Sequence, residues 1–282
     1  MARVDVALVT GASTGLGRET ARALAAQGYH VVLAVRDRHR GEQARAAIGA
    51  ATEVGVVDLA SLASVRAFAA WFCERHDTLG VLVNNAGVMA CPLTRTVDGF
   101  EMQFGTNHLG HFLLTLLLVP ALRSSIPARV VNVSSAGHRA SDVDFDDPNY
   151  ERRPYEKWEA YGQSKTANIL FTVELERRFG NEGIHAFAVH PGMIVTDLGR
   201  HLTRDDYMEL SRRASGRLPE PKSIEDGAAT TLWAATTAPT TAAGKYLEDC
   251  HVSDEHAPWA LDPDRARRLW ELSERLVGEL AP

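Results

Sequence analysis

Tyr161 and Lys165 stand four positions apart in Tyr161-Gly162-Gln163-Ser164-Lys165, a spacing that on a helix puts a phenol and an ammonium on one face. Such a pair can move a proton. A tyrosine ordinarily ionises near pH ~10, and a fixed cation beside it favours the phenolate. Lys165 is therefore expected to bring the Tyr161 pKa down toward the range useful for general acid–base work. Tyr29, Tyr150, Tyr155, Tyr207 and Tyr246 have no lysine at that spacing. A chance pair on a solvated surface would carry the same letters, so the reading needs a cofactor site upstream.

That site begins near the amino terminus. Val6-Ala7-Leu8-Val9 is a short apolar run ending in Thr10-Gly11-Ala12-Ser13-Thr14-Gly15-Leu16-Gly17, and an amphipathic pattern follows to Gln27: strand, glycine-rich turn, helix. Glycines let the backbone approach a pyrophosphate closely, and free N–H groups at a helix start attract the anion. The competing reading is an ordinary tight turn, which the placement between a first strand and a first helix disfavours. Gly11-Ala12-Ser13-Thr14-Gly15 also fits the Gly-x-Ser-x-Gly elbow of α/β-hydrolases, but that elbow follows several strands and only one precedes Ser13. Past the second strand, His30 to Val35, the position facing an adenosine ribose holds Arg36, with Asp37 just beyond. A carboxylate there suits the ribose hydroxyls of NAD, and a guanidinium suits the 2′-phosphate of NADP. A solvated loop arginine is the plain alternative for Arg36.

The elements that must position these groups alternate. Strand patterns at Glu53 to Val57, Val81 to Val83, Arg129 to Val133, His185 to His190 and Gly244 to Leu247 follow the first two. They are separated by helix patterns at Arg40 to Ala47, Ser61 to Arg75 with Ser61 as N-cap, Phe100 to Leu122, the Tyr161 helix, and Ile224 to Ala235. A closing helix runs from Pro263 to Leu280 with Trp270 and Leu272 inward. Alternation of this kind predicts an α/β fold of the Rossmann type, a doubly wound, seven-stranded parallel sheet with helices on both faces and ligands at the carboxyl ends of the strands. Asn107, beside His108 and His111 in an apolar helix, is either a hydrogen-bonded core amide or a site group. Residues 136–160, polar and proline-punctuated, read as a surface excursion before the Tyr161 helix. The stretch 199–221, dense in arginine with Leu202, Tyr207, Met208 and Leu210 interspersed, reads as a partly helical flap over the substrate.

Composition narrows the function classes. A chain of 282 residues without a linker or repeat is expected to be one domain, and a net charge of −6 argues against nucleic acid as the main partner. Cys73, Cys91 and Cys250 are odd in number and widely spaced, which suits free thiols in a reducing compartment. No signal peptide precedes the first strand, and the apolar run Phe112 to Leu122 is too short for a bilayer, so a cytoplasmic protein without a membrane partner is expected. His251 and His256 near Cys250 fit no standard metal spacing, and no metal is expected.

Taken together, these motifs resemble the short-chain dehydrogenase/reductase family over nearly the whole chain. The glycine turn is similar to the family's Thr-Gly-x-x-x-Gly-x-Gly, with Gly11, Ser13, Thr14, Gly15 and Leu16 as implied cofactor contacts. Asp58-Leu59 resembles the adenine-contacting pair, Asn84-Asn85-Ala86-Gly87 the Asn-Asn-Ala-Gly box, and Pro191-Gly192-Met193-Ile194-Val195-Thr196 the segment that orients nicotinamide. Asn107, Ser135, Tyr161 and Lys165 fall where the family carries its catalytic tetrad. The stretches Gln103 to Phe112 and Val131 to Ser135 look like those of retinol dehydrogenases, protochlorophyllide reductases and polyketide ketoreductases. Met193 replaces the cysteine of the light-dependent reductases, so photochemistry is not expected. The resemblance implies NADP(H), hydride transfer to or from a bulky apolar ketone, aldehyde or alcohol, and a tyrosine acting as proton donor. Asn107 would complete a water-linked proton path behind Lys165. A catalytically silent dinucleotide sensor on the same fold is the rival. The long spacing between Ser135 and Tyr161 predicts that the excursion covers the helix faces through which relatives pair, giving a monomer or an unusual homodimer.

Overall fold

The computed structural model describes residues 5–49, 51–199, 202–213 and 220–282. Strands β1 (Val6–Thr10), β2 (His30–Val35), β3 (Thr52–Val56), β4 (Val81–Asn84), β5 (Ala128–Val133), β6 (Ile184–His190), β7 (Tyr246–Glu248) and β8 (His251–Val252) form one sheet. Their order is β3-β2-β1-β4-β5-β6-β7-β8. The first seven are parallel, as the alternation predicts. The eighth is an addition: β8 runs antiparallel to β7, pairing Glu248 with His251 around Asp249 and Cys250. Both turn residues take left-handed backbone, with φ of 48° and 59°, the geometry that a two-residue hairpin of right-twisted strands requires. A two-residue strand has no alternation to read, which is why the pattern stops at seven.

Helices α1 (Gly15–Ala26), α2 (Arg38–Ile48), α3 (Leu62–Cys73), α4 (Met102–Phe104), α5 (Gly110–Arg123), α6 (Lys157–Phe179), α7 (Arg204–Arg213), α8 (Ile224–Thr236) and α9 (Pro263–Val277) complete the layers. Strand side chains alternate between the two faces. Ala7, Val9, Val31 and Leu33 pack with Ala21, Leu24, Ala44 and Ala234, so α1, α2 and α8 cover one face. Leu8, Val32 and Leu82 pack with Phe68, Phe112, Phe171 and Trp270, so α3, α5, α6 and α9 cover the other. The sequential order of the strands reverses between β1 and β4, and the crevice at their carboxyl ends is where such folds place ligands.

Three elements differ from the sequence reading. The helix expected from Phe100 begins at Met102 and passes through a π-helical turn at Gly105–Leu109 before α5. The whole run Met102–Arg123 is long and apolar enough to cross a bilayer, but 83% of its apolar window is buried inside the protein, which makes it a core helix. Of residues 136–160, the first five form a 3₁₀ turn and the last four belong to α6; between them lies a tightly bonded loop. Gln163 donates to the Pro148 carbonyl (2.8 Å) and accepts from Asp144 N–H (3.1 Å), and Arg95 donates to the Asn149 carbonyl (2.7 Å). Asp147 accepts the N–H groups of Glu151, Arg152 and Arg153. Of the flap, residues 200–201 and 214–219 lie outside the described residues. Its helix α7 is pinned to the start of α6 by an ion pair between Asp206 and Lys157, and Thr203 donates twice to the same carboxylate.

Candidate active site

Ser135 stands two residues past β5 and caps a short 3₁₀ turn, its hydroxyl accepting from Gly137 N–H (3.0 Å). The same hydroxyl faces the Tyr161 phenol on α6 and favours its ionisation. Gly137 permits this approach, because a Cβ there would sit 2.8 Å from the Tyr161 ring and 3.4 Å from Ser135 Oγ. One turn further along α6, Lys165 Nζ lies 5.7 Å from the centre of the Tyr161 ring and donates to the Val133 carbonyl (3.0 Å). The four-residue spacing therefore does bring phenol and ammonium to one face. Ser135, Tyr161 and Lys165 form one cluster at the carboxyl end of β5.

Its electrostatics correct the sequence argument. Burial raises the Tyr161 pKa to about 12, against the lowering effect of the Ser135 hydrogen bond. Burial likewise lowers Lys165 to about 8. Each charged form loses its water, and the ammonium sits over the ring rather than at the phenol oxygen, so desolvation outweighs the expected benefit of the cation. In the chain by itself, Tyr161 is a firmly protonated donor at neutral pH, and Lys165 keeps its charge below about pH 8.

Asn107 lies in the π-helical turn, fully buried. Its side chain donates to the Val88 carbonyl (2.9 Å) and Ser164 Oγ (2.9 Å) and accepts from Val88 N–H (2.8 Å). The amide thus clips the loop after β4 to α6. That commits the side chain and leaves the backbone carbonyl, which accepts from His111 Nδ1 (2.9 Å). The carbonyl can only accept, so Nδ1 carries the proton. Burial holds the His111 pKa at about 4, so the ring is neutral and Nε2 must accept, which makes the Thr10 hydroxyl the donor in the 2.8 Å contact between them. Thr10 Oγ1 in turn accepts the N–H groups of Asn85 (2.9 Å) and Ala86 (3.0 Å). One threonine thus ties the glycine-rich turn, the loop after β4 and the start of α5 together.

The dinucleotide cradle closes around that hub. Gly11 has φ of 67°, and a Cβ there would lie 2.9 Å from the Ala86 backbone; a Cβ on Gly17 would lie 2.5 Å from both Asn85 and the Gly11 carbonyl. Gly87 abuts Asn107 Oδ1 in the same way, at 3.1 Å. Ser13, Thr14, Gly15 and Leu16 are half-buried along the turn. The segment after β6 folds over it: a Cβ on Gly15 would meet Thr196 at 3.3 Å, and one on Gly227 would meet both Ile194 (2.6 Å) and Leu16 (2.8 Å). Pro191 is buried, and Gly192, at φ of 90°, lies under the Lys222 side chain. At the adenosine end, Arg36 is exposed just past β2, while the Asp37 carboxylate accepts Arg40 N–H (3.0 Å) and caps α2. Half-buried Asp58 is fixed by Ser64, which accepts its N–H (2.9 Å), and by its own bond to Ala60 N–H (3.0 Å); Leu59 is buried beside it.

These residues fit a dinucleotide. Side chains cap the first turns of α2, α3, α6, α8 and α9, whereas Thr14 makes no side-chain cap on α1 and no acidic residue stands in its first turn. The α1 amides are thus left for an anion, in a turn whose glycines keep the space clear. The sequence reading gave Thr10, His111 and Gly137 no part in the site. A histidine four residues after Asn107 on one helix was the available signal for the second, and the short Ser-x-Gly spacing for the third. The Cys250 neighbourhood holds no metal-like cluster among the described residues: His251 Nδ1 turns to the Asp249 carbonyl and His256 Nδ1 to that of Ala257.

Residues 5–206 match the family model of the short chain dehydrogenases. Retinol dehydrogenase 13 of Homo sapiens is 44% identical over 283 residues, covering 98% of this chain and 85% of the relative. The short-chain dehydrogenase/reductase prx1 of Penicillium roqueforti is 44% identical over 290 residues, covering 97% and 85%. Among solved structures, an uncharacterized protein from Mycobacterium Paratuberculosis superposes with a TM-score of 0.81 at 38% identity, covering 99% of this chain and 95% of that one. The RhlG/NADP active-site complex from Pseudomonas aeruginosa superposes with a TM-score of 0.68 at 28% identity, covering 86% and 94%.

Proposed function

The chain belongs to the short chain dehydrogenase family, and from that we propose an NADP(H)-dependent carbonyl reductase or alcohol dehydrogenase acting on a bulky apolar ketone, aldehyde or alcohol. The observation that carries the reading is the cluster of buried Tyr161 and Lys165 with half-buried Ser135 at the carboxyl end of β5. The bound dinucleotide supplies or takes the hydride. In reduction, Ser135 Oγ donates a hydrogen bond to the substrate oxygen and Tyr161 Oη gives that oxygen its proton. Lys165 holds the nicotinamide ribose with the N–H groups left after its bond to Val133, and its charge stabilises the phenolate that forms. Asn107 fixes the loop after β4 and would complete a water-linked proton path behind Lys165.

Two features favour NADP(H) over NAD(H). The carboxylate that would bind a 2′-hydroxyl, Asp37, is engaged as a helix cap, and the Arg36 guanidinium beside it is exposed. Apolar substrate is favoured by Val195, 73% exposed just after Ile194, by Met208, 49% exposed on the flap helix, and by the retinol dehydrogenase names of several relatives. The proposed protein is cytoplasmic and works as a monomer or homodimer.

The test follows NADPH and NADH oxidation with retinal, polycyclic aromatic ketones and short aldehydes. Turnover with NADPH on the bulky carbonyls is expected, and Arg36→Ala should weaken NADPH binding by about 1–3 kcal/mol without changing that of NADH. Tight NADPH binding without turnover of any carbonyl or alcohol would favour a dinucleotide sensor. Equal affinity for both cofactors would refute the Arg36 assignment.

A further inference from the structure

At the opposite end of the sheet from the catalytic cluster, His30, Glu53 and His76 turn their side chains to one point. His30 opens β2, and Glu53 lies on the edge strand β3, level with Val32 in the parallel register. Residues 30 and 32 share a face of the sheet, so His30 and Glu53 both project toward the side that α3 covers. His76 follows the last turn of α3 on that side, its N–H bonded to the Phe72 carbonyl (2.9 Å) and its ring packed against Phe72 (4.9 Å between centres). Glu53 Oε2 lies 3.0 Å from His76 Nε2 and 3.7 Å from His30 Nε2, and all three ligand atoms fall within 4.8 Å of one another.

We propose that His30, Glu53 and His76 bind one divalent transition-metal ion of the zinc class. Zinc holds imidazole nitrogen and carboxylate oxygen at about 2.0–2.2 Å, so ligand atoms around a tetrahedral ion stand roughly 3.3–3.5 Å apart. The two separations from Glu53 bracket that value, and small side-chain rotations close the third. Two imidazoles and one carboxylate make a donor set suited to zinc, copper or nickel rather than to magnesium or calcium, which take oxygen. All three residues are half-buried, which restricts their rotamers and leaves the fourth position open to water. Arg75 Nε stands 3.6 Å from the other carboxylate oxygen. It keeps Glu53 monodentate and opposes the charge of the ion, so the site is weaker than a closed structural one. Arg75 is also held over Trp71 (4.8 Å). The ion would staple the start of β2, the sheet's edge strand and the end of α3 without reaching the dinucleotide.

The experiment titrates the metal-stripped, full-length protein with ZnCl₂ and with CoCl₂. One equivalent of zinc is expected to bind by calorimetry and to raise the melting temperature, while cobalt should give the visible absorption of a four-coordinate ion. Glu53→Gln, which keeps the shape of the side chain, and His76→Ala should each weaken binding at least tenfold, while Arg75→Ala strengthens it. Melting curves taken without metal establish that the variants are folded, and NADPH-dependent turnover should be unchanged in all of them. The proposal falls if no stoichiometric binding occurs at 1 mM cobalt, or if a folded His30→Ala/His76→Ala double variant binds as the parent does, placing the ion elsewhere.

Discussion

Removing the single oxygen of Tyr161 separates chemistry from packing. Tyr161→Phe keeps the ring against Gly137 and should leave NADPH affinity and the melting temperature nearly unchanged, while turnover falls by roughly 10²- to 10⁴-fold. Lys165→Ala should lower turnover and cofactor affinity together, because it takes away a ribose contact as well as the charge. Thr10 is the residue whose importance lies in geometry rather than in chemistry. Thr10→Val preserves volume but deprives two N–H groups and the His111 ring of their partner, and each buried orphan costs about 1–3 kcal/mol. Denaturant titration should show a loss in that range or above, with NADPH binding weakened in parallel, and Thr10→Ser should restore most of both. Tyr161 and Lys165 were legible because their spacing is local, four residues on one helix, and the glycine turn because it adjoins a strand; Ser135, 26 residues before Tyr161, was legible only through the family resemblance. The Thr10 contact with His111 spans 101 residues of sequence, and no local pattern encodes it. The direction of the Tyr161 shift was illegible for a related reason: burial is a property of the assembled fold, and it outweighs a charge that the spacing alone makes obvious.

Among the elements, α6 carries the proton donor and is itself enclosed. Its residues from Ala160 to Thr172 are buried, and α9 accounts for much of that cover: Trp270 packs at 5.0 Å on Phe112 and 5.8 Å on Phe171, and Ser273 Oγ meets His108 Nε2 at 2.8 Å. The sequence reading assigned this shielding to residues 136–160 alone. Those residues do bond to Gln163, but the inward face of α9 was visible as Trp270 and Leu272 without any indication of which helix they cover. Trp270→Ala should destabilise the protein by about 3–5 kcal/mol in urea titrations, a cavity effect. The β7–β8 turn predicts the reverse sign. Cys250 holds a left-handed φ of 59° without being glycine, so Cys250→Gly should stabilise by up to about 1 kcal/mol, read as a shift in urea midpoint at unchanged slope.

For the whole molecule, buried imidazoles set the acid limit. Burial lowers His108 to about 3 and His111, His138 and His190 to about 4. The unfolded chain binds protons at these groups below about pH 6.5 and the folded one does not, so stability is complete above 6.5 and declines as pH falls toward 4. The unfolding free energy from urea titrations should drop steeply between pH 7 and 5, by several kcal/mol in total; a flat profile would show that these rings protonate in place. Enclosure of α5 and α6 within one chain also leaves little of either helix for a partner. Light scattering should therefore give a monomer, or a dimer whose contact avoids both helices, and a tetramer built on α6 would contradict this. The antiparallel β8 has a separate bearing on association. A parallel sheet ending at β7 would offer a row of unpaired backbone groups to any extended segment, including the same strand of a misfolded neighbour. With two residues folded back along that row, strand addition at this margin is blocked. Concentrated or partly unfolded protein should then aggregate from the β3 margin, and peptides that template fibrils through β7 should find no purchase.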